Sequence, residues 1–336
     1  MQNTYQNLPE KFLERLKKLY GEKELKMVLQ AIATKPLPSF RTNTLKITTV
    51  ELTKMLRDQA FIIEAIPWYH DAFLLKNRSI RELTETAMYK QGFLYIQNLS
   101  SIIPSLVLAP KPQDKILDLC AAPGSKTTHI ASLMANSGEI VANDLSRQRL
   151  YKLSANLIMY GITTIKTLNI PGQTLWKKFP EYFDKTLVDV PCSMEGRIVL
   201  SDPESYQDWK LGKIKELATK QKYLLRSAIS ATKVGGTIVY STCTLAPEEN
   251  EGVIDWILKK EGNAVAVEKI EIDKLDCAPG ITSWNKPYNP QVAKTSRILP
   301  STTMEGFFVA KLRKKKSTLS SLLHFPHAIE HHTNNY

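Results

Sequence analysis

The segment that most limits the fold is Ile116-Leu117-Asp118-Leu119-Cys120-Ala121-Ala122-Pro123-Gly124-Ser125-Lys126-Thr127. An apolar run ends near an acid, passes through a turn of small residues, and opens onto a helical pattern from Thr127 to Met134. A tight turn between strand and helix lets a ligand approach the backbone closely. The same grammar then repeats. Ile140 to Ala142, Lys185 to Val190 and Gly236 to Tyr240 read as strands. Arg147 to Met159, Lys213 to Ala231 and Glu248 to Lys260 read as helices. Strands alternating with helices predict an α/β fold, a doubly wound and mostly parallel sheet covered on both faces. Phe307 to Ala310 is expected to close the sheet as an antiparallel strand.

The turn chemistry restricts the cofactor. A triphosphate-binding loop needs a glycine separated by four residues from a Gly-Lys pair; here Ser125 separates Gly124 from Lys126 and the earlier glycine is absent. A dinucleotide turn needs three spaced glycines, and this one has Gly124 alone. A nucleoside site without phosphate demand remains, and S-adenosylmethionine fits it. The second strand leads to Asp144, where a carboxylate can accept both ribose hydroxyls or cap the helix beginning near Arg147.

Before this core, Leu8, Phe12, Leu16, Leu19, Leu25, Val28, Leu29 and Ile32 recur at helical spacing. Gly21 is expected to split that pattern into two helices. A strand over 39–47, a helix over 49–59 and one or two strands over 61–75 complete a small α+β unit. Pro104, Pro110 and Pro112 punctuate the boundary. The expected division is an N-terminal helical and α+β region over 1–105, an α/β domain over 106–313, and a disordered basic then polar tail over 314–336. The tail histidines His324, His327, His331 and His332 are read as part of that tail rather than as a metal site.

Of the 336 residues, 45 are Lys or Arg against 33 Asp or Glu, a net charge of +12 that points to a polyanionic partner. No apolar run approaches the roughly 20 residues of a membrane span, and the N-terminus carries no secretory pattern. A cytoplasmic monomer without membrane contact is expected. Cys120, Cys192, Cys243 and Cys277 lie far apart without a C-x-x-C pair, so neither zinc nor a disulfide framework is expected. Asp189-Val190-Pro191-Cys192-Ser193 and Tyr240-Ser241-Thr242-Cys243-Thr244 each put a thiol at the carboxyl end of a strand, where ligands of open α/β sheets sit.

These motifs together resemble the RsmB/NOP family of RNA cytosine-C5 methyltransferases. The Leu117–Thr127 run is similar to its cofactor motif, Asp189–Ser193 to its D-A-P-C-S signature, and Tyr240–Leu245 with Pro247-Glu248-Glu249-Asn250-Glu251 to its second cysteine motif. Arg41-Thr42-Asn43-Thr44-Leu45-Lys46, and Arg297-Ile298-Leu299-Pro300 with Glu305-Gly306-Phe307-Phe308, resemble its first and last motifs. Ile66-Pro67-Trp68 and Leu94-Tyr95-Ile96-Gln97 resemble the bacterial branch that methylates 16S ribosomal RNA. The resemblance implies that region 1–105 binds RNA and that domain 106–313 is catalytic, a Rossmann-like S-adenosylmethionine-dependent core with the cofactor held by Cys120, Ala121, Ala122, Pro123, Gly124, Ser125, Lys126, Asp144 and Asp189.

Cytosine C5 is a poor nucleophile until a thiolate adds to C6. The reaction also wants an acid near N3 and a group that assists release. Chemistry alone does not choose between the cysteines. The resemblance implies that Cys243 attacks, Cys192 assists release and Asp189 contacts N3. The substrate expected is 16S rRNA or the small ribosomal subunit, with tRNA as the alternative; the cytosine must be unstacked or single-stranded. Lys126 is expected near the site, either lowering a thiol pKa or holding the cofactor loop. Two positions depart from the pattern. Pro171 stands where the family commonly has an acid facing adenine, with Asn169 the candidate substitute. Met194 stands where glycine is usual. These departures leave open an RNA-binding homologue without turnover. A thiol hydrolase would need His70 or His129 beside Cys243.

Overall fold

A computed structural model of the chain describes residues 5–322; the four tail histidines lie outside them. Two helices come first, α1 (Glu10–Leu19) and α2 (Glu22–Ala33), separated at Gly21. Next come β1 (Ser39–Thr42), α3 (Thr49–Asp58), β2 (Ile63–Ile66) and β3 (Tyr69–Leu75). Two short helices, α4 (Ile80–Glu85) and α5 (Ala87–Lys90), lead into β4 (Leu94–Ile96). Thr48 and Glu51 form a reciprocal capping box that starts α3, satisfying donors that a helix leaves free. The four strands form an antiparallel sheet in the order β2-β3-β1-β4. Phe40, Leu52, Leu56, Phe73 and Leu94 fill its own core.

The second unit runs through α6 (Ile103–Leu108), β5 (Lys115–Asp118), α7 (Ser125–Leu133), β6 (Glu139–Asn143), α8 (Arg147–Tyr160), β7 (Ile165–Leu168), β8 (Phe183–Asp189) and α9 (Leu211–Ala231). It continues with β9 (Thr232–Thr242), α10 (Glu251–Glu261), β10 (Val265–Glu268), β11 (Ala278–Pro279) and the small hairpin β12 (Ser283–Trp284) and β13 (Lys286–Pro287). β14 (Ser296–Ile298), β15 (Phe307–Lys314) and α11 (Leu319–Leu322) end the described chain. The large sheet has the order β11-β14-β15-β9-β8-β5-β6-β7, with β10 also on β15. The five strands from β9 to β7 are parallel. Every pairing beyond β9 is antiparallel. The sheet is therefore mixed, more so than the alternation of strands and helices suggests, because the chain after α10 returns through hairpins rather than crossovers.

Side chains alternate across this sheet, as the strand period requires. Leu117, Val141, Val188, Tyr240 and Phe308 face a core completed by α9 and α10. Ile116, Ile140, Leu187, Val239 and Val309 face the opposite core, completed by α6 and α7. With both faces covered, ligand access is left to the strand ends. β6 and β8 lie on either side of β5, so the order reverses there, and the crevice opens at its carboxyl end.

Two placements differ from the sequence reading. The helices α1 and α2 do not complete the N-terminal sheet unit. Phe12, Leu16, Val28 and Ile32 pack with Ile198, Tyr206 and Leu245, on the loops that follow the two central cysteines. The tail expected from residue 314 starts too early. Lys314 is the last residue of β15; it is fully buried, donates to the carbonyls of Ile229 and Thr232, and pairs with Glu181 at 2.9 Å. Its charge looked like part of a basic run, but it closes the C-terminal end of α9, where free carbonyls favour a cation.

Candidate active site

The loop after β5 is shaped by glycine geometry and by backbone ties. Gly124 precedes α7 at φ +107, and a Cβ there would stand 2.6 Å from Leu153 Cδ1. Ala121 N–H donates to the Asn143 carbonyl at 2.8 Å, and Ala122 N–H to Asp144 Oδ2 at 3.2 Å. Asn156 donates to the Pro123 carbonyl at 2.8 Å and Arg149 to that of Ala122. Below the loop, Thr127 Oγ1 donates to Asp118 Oδ2 at 2.7 Å. Asp118 Oδ1 is buried with no partner among the described residues. Burial pushes the Asp118 carboxyl up to about 7, against the Thr127 hydrogen bond.

Asp144 is buried and accepts from the N–H of Ala122 and of Ser146, with Arg149 Nη1 at 3.2 Å from its Oδ2. The N-cap of α8 is Ser146, not Asp144. Cys120 sits beside these acids; burial, with the charges of Asp144 and Asp118, pushes its thiol up. A thiol held protonated in this way is no nucleophile.

The cysteine pair is built by strand register. β8 and β9 run parallel with Asp189 level with Ser241, so the segments beyond them leave the sheet side by side. Cys192 Sγ lies 3.4 Å from Cys243 Sγ. Cys192 is buried, whereas Cys243 is partly exposed. The hydrogen bond to Cys243, and then burial, push the Cys192 thiol well up. Asp189 Oδ1 accepts from Ser241 Oγ at 2.7 Å and its Oδ2 pairs with Lys126 at 2.7 Å. Lys126 also reaches Ser101 Oγ at 2.7 Å. Lys126 thus orients the Asp189 carboxylate rather than resting on a thiol.

Cys120, Ala121, Ala122, Pro123, Ser125, Lys126, Asp189 and Cys243 line one cleft of about 350 Å³. Gly124 and Asp144 stand behind its wall and Cys192 behind Cys243. Sequence reasoning missed the opposite wall, where Tyr95 lies on β4 and Gln97 and Asn98 follow it, and Arg197, Glu305 and Phe307 close the rim. Their contribution depends on how the two units dock, which no local motif encodes. Asn169 is already engaged. Its Nδ2 donates to the carbonyls of Asp144 and Leu145, both at 2.8 Å, and its Oδ1 accepts from Arg147. It is therefore not free to replace an acid at Pro171. Met194 takes φ +56 and is half exposed, so the glycine-like backbone geometry persists without a glycine. His129 is wholly buried; its Nε2 is 2.9 Å from the Tyr69 hydroxyl, and burial pushes its pKa well down. His70 lies beside Asp71 on β3. Neither histidine lines the cleft. Among the described residues no group of three or more His, Cys, Asp or Glu could hold a metal ion, and no helix is long and apolar enough to cross a membrane.

The donor set fits S-adenosylmethionine. The cleft carries Asp118 with an unpaired buried oxygen, Asp189 at its floor and Asp144 behind its wall. A sulfonium and an ammonium suit such acids.

The chain matches the family described as 16S rRNA methyltransferase RsmB/F over residues 105–313. It also matches the N-terminal domain of 16S rRNA methyltransferase RsmF over residues 8–99. It is similar to ribosomal RNA small subunit methyltransferase F of Vibrio cholerae, 38% identical over 93% of this chain and 65% of that protein. The chain thus spans about two thirds of that relative's length. It is also similar to the tRNA (cytosine(49)-C(5))-methyltransferase of Pyrococcus abyssi, 37% identical over 93% of this chain and 98% of that protein. A crystal structure of a methyltransferase homologue from Pyrococcus horikoshii superposes with a TM-score of 0.79 at 32% identity, covering 91% of this chain and 95% of that one.

Proposed function

The chain belongs to the 16S rRNA methyltransferase RsmB/F family, and from that premise we propose that it transfers a methyl group from S-adenosylmethionine to C5 of a cytosine in 16S rRNA. The observation that carries this reading is the thiol pair at 3.4 Å, opening through Cys243 onto the cleft that holds Asp189 and the 120–126 loop. In this reading the 120–126 loop, Asp118, Asp144 and Asp189 hold the cofactor, which when bound supplies an electrophilic methyl on a sulfonium.

Cys243 is the attacking group, because it is the thiol exposed to the cleft. Its addition to C6 gives C5 the electron density to take the methyl. Asp189, fixed by Lys126 and Ser241, contacts N3 of the base. Cys192 assists release. Its thiol is held protonated first by its hydrogen bond to Cys243. Once Cys243 is bonded to C6 that partner is an uncharged thioether, so Cys192 gives up its proton more readily. With that proton passed to solvent through the cleft, the Cys192 thiolate takes the C5 proton, and the electron pair of the broken C5–H bond restores the C5–C6 double bond as the Cys243 thiolate leaves.

The test has two parts. Cys243→Ala is expected to abolish transfer, and Cys192→Ala to accumulate a covalent protein–RNA adduct, seen as a slow band on a denaturing gel. An adduct formed by Cys243→Ala instead would exchange the two roles. Bisulfite sequencing of ribosomal and transfer RNA, from a strain lacking the gene beside its parent, fixes the substrate. Loss of one protected cytosine in 16S rRNA is the expected result. A tRNA cytosine is the second reading, favoured by the likeness to the Pyrococcus abyssi enzyme, and loss of protection there would replace the first.

A further inference from the structure

Behind the thiols, the two cysteine loops are joined by hydrogen bonds that the reaction above leaves unused. Ser193, the residue after Cys192, has its Oγ 2.7 Å from Thr244 Oγ1, on the residue after Cys243. Ser193 Oγ also donates to Glu249 Oε1, and its N–H lies 3.1 Å from Glu249 Oε2. At the other end Thr244 Oγ1 stands 3.4 Å from Glu195 Oε2. Both carboxylates are anchored from outside the loops. Trp209 Nε1 donates to Glu195 Oε1 at 2.8 Å, and Gln221 Nε2 donates to Glu249 Oε2 at 2.7 Å.

Glu195, Thr244 and Glu249 are all buried. Two acids this deep are unfavourable unless their oxygens are satisfied. Burial pushes both carboxyls up, Glu249 to about 7, so a proton is readily retained along the line. Each bridging hydroxyl is one peptide unit from a thiol. A shift between Ser193 and Thr244 is therefore passed on to the sulfur atoms, because the packed loops cannot deform independently.

We propose that the line Glu249–Ser193–Thr244–Glu195 sets the spacing between the Cys192 and Cys243 thiols, making Ser193, Thr244 and Glu249 positioning residues for the pair. Its effect on methyl transfer rests on the function proposed above; its effect on thiol spacing does not. The rate-relevant geometry is narrow, since Cys192 must reach the C5 proton while Cys243 is bonded to C6 of the same ring.

The experiment compares Thr244→Val, which keeps the shape and removes the hydroxyl, with Thr244→Ser, which keeps the hydroxyl, and with Ser193→Ala. Diamide takes two protons and two electrons from the thiol pair and leaves a Cys192–Cys243 disulfide, identified by peptide mass spectrometry. The disulfide-forming rate is expected to fall at least about tenfold in Thr244→Val and Ser193→Ala, and to stay within about twofold of the parent in Thr244→Ser. Methyl transfer to RNA should follow the same order, with cofactor affinity unchanged. Disulfide rates within about twofold of the parent in both hydroxyl-deleted proteins would overturn the proposal. If Thr244→Val does not fold, Ser193→Ala at its less buried position decides alone. The expected disulfide rates without methyl transfer by any protein, the parent included, would uphold the spacing role and sink the functional reading.

Discussion

At the scale of single residues, the buried and half-satisfied Asp118 carboxyl carries the most testable chemistry. Its folded pKa of about 7 lies above the roughly 3.9 of an unfolded aspartate. The folded protein therefore binds the proton more tightly than the unfolded chain does. Asp118 makes its stabilising contribution at low pH, and that contribution is lost as pH rises towards about 7. A cationic ligand reverses the preference, because it favours the ionised form. Asp189 and Asp144 also face this carboxyl and raise its pKa, while the Lys126 charge lowers it. Affinity for S-adenosylmethionine is expected to rise as pH rises to about 7, with proton release on binding, and to level off above it. Calorimetric titration in buffers of different ionisation enthalpy measures both. An Asp118→Asn protein with the same pH profile as the parent would defeat the assignment. Much of this site was legible, since the acids and cysteines sit in short motifs. The pairing of Lys126 with Asp189 was not, because it depends on how far a flexible side chain reaches between two strands.

At the scale of elements, the cysteine loops are held by close backbone approach as well as by side chains. Gly196 N–H donates to the Cys243 carbonyl at 3.0 Å, and its own carbonyl accepts from Gly306 N–H at 2.9 Å. A Cβ on Gly196 would run into the Gly306 backbone, which cannot yield as a side chain tip can. Gly196→Ala should lower stability by about 1–3 kcal/mol, read by denaturant melting. It should also reduce methyl transfer more than cofactor affinity, because it displaces the cysteine loop and leaves the 120–126 loop in place. Unchanged transfer with unchanged stability would show that the contact yields freely. Helix and strand positions were largely readable here, as in the helix expected over 49–59 and found as α3. The destination of α1 and α2 was not. Their apolar stripe states that a face must be buried, but the partner surface, Ile198, Tyr206 and Leu245, is assembled from distant loops. The closing antiparallel strand over 307–310 was readable and is part of β15, but its antiparallel neighbours were not: β10, β11 and β14 are four residues or fewer, too short to show a period.

At the scale of the whole molecule, the question is how the N-terminal sheet unit is fixed to the core, since Tyr95, Gln97 and Asn98 form one wall of the cleft. The Arg41–Lys46 motif supplies the joint. Arg41 is buried, donates to Gln97 Oε1 at 2.9 Å and Thr128 Oγ1 at 2.8 Å, and lies over the Tyr95 ring. Asn43 donates to the Tyr160 carbonyl at 3.0 Å, and Lys46 to the Met159 carbonyl at 2.6 Å, at the end of α8 where the helix dipole favours a cation. The motif's polar residues thus serve the contact between units, rather than standing free for RNA. Burial lowers the Arg41 pKa to about 10, so the guanidinium stays charged at neutral pH and its partners stay occupied. Arg41→Ala leaves Gln97 and Thr128 without their donor in a buried place, which should cost about 1–3 kcal/mol for each acceptor left unpaired. Lysine should not restore it, because one ammonium cannot reproduce the planar fork. If the joint couples the units, the parent melts in one calorimetric transition, and Arg41→Ala in two, with weaker cofactor binding as the Gln97 wall loosens. A single, undisplaced transition in Arg41→Ala would mean that the apolar contact of Leu99 and Ile102 with the sheet holds the units together without the motif.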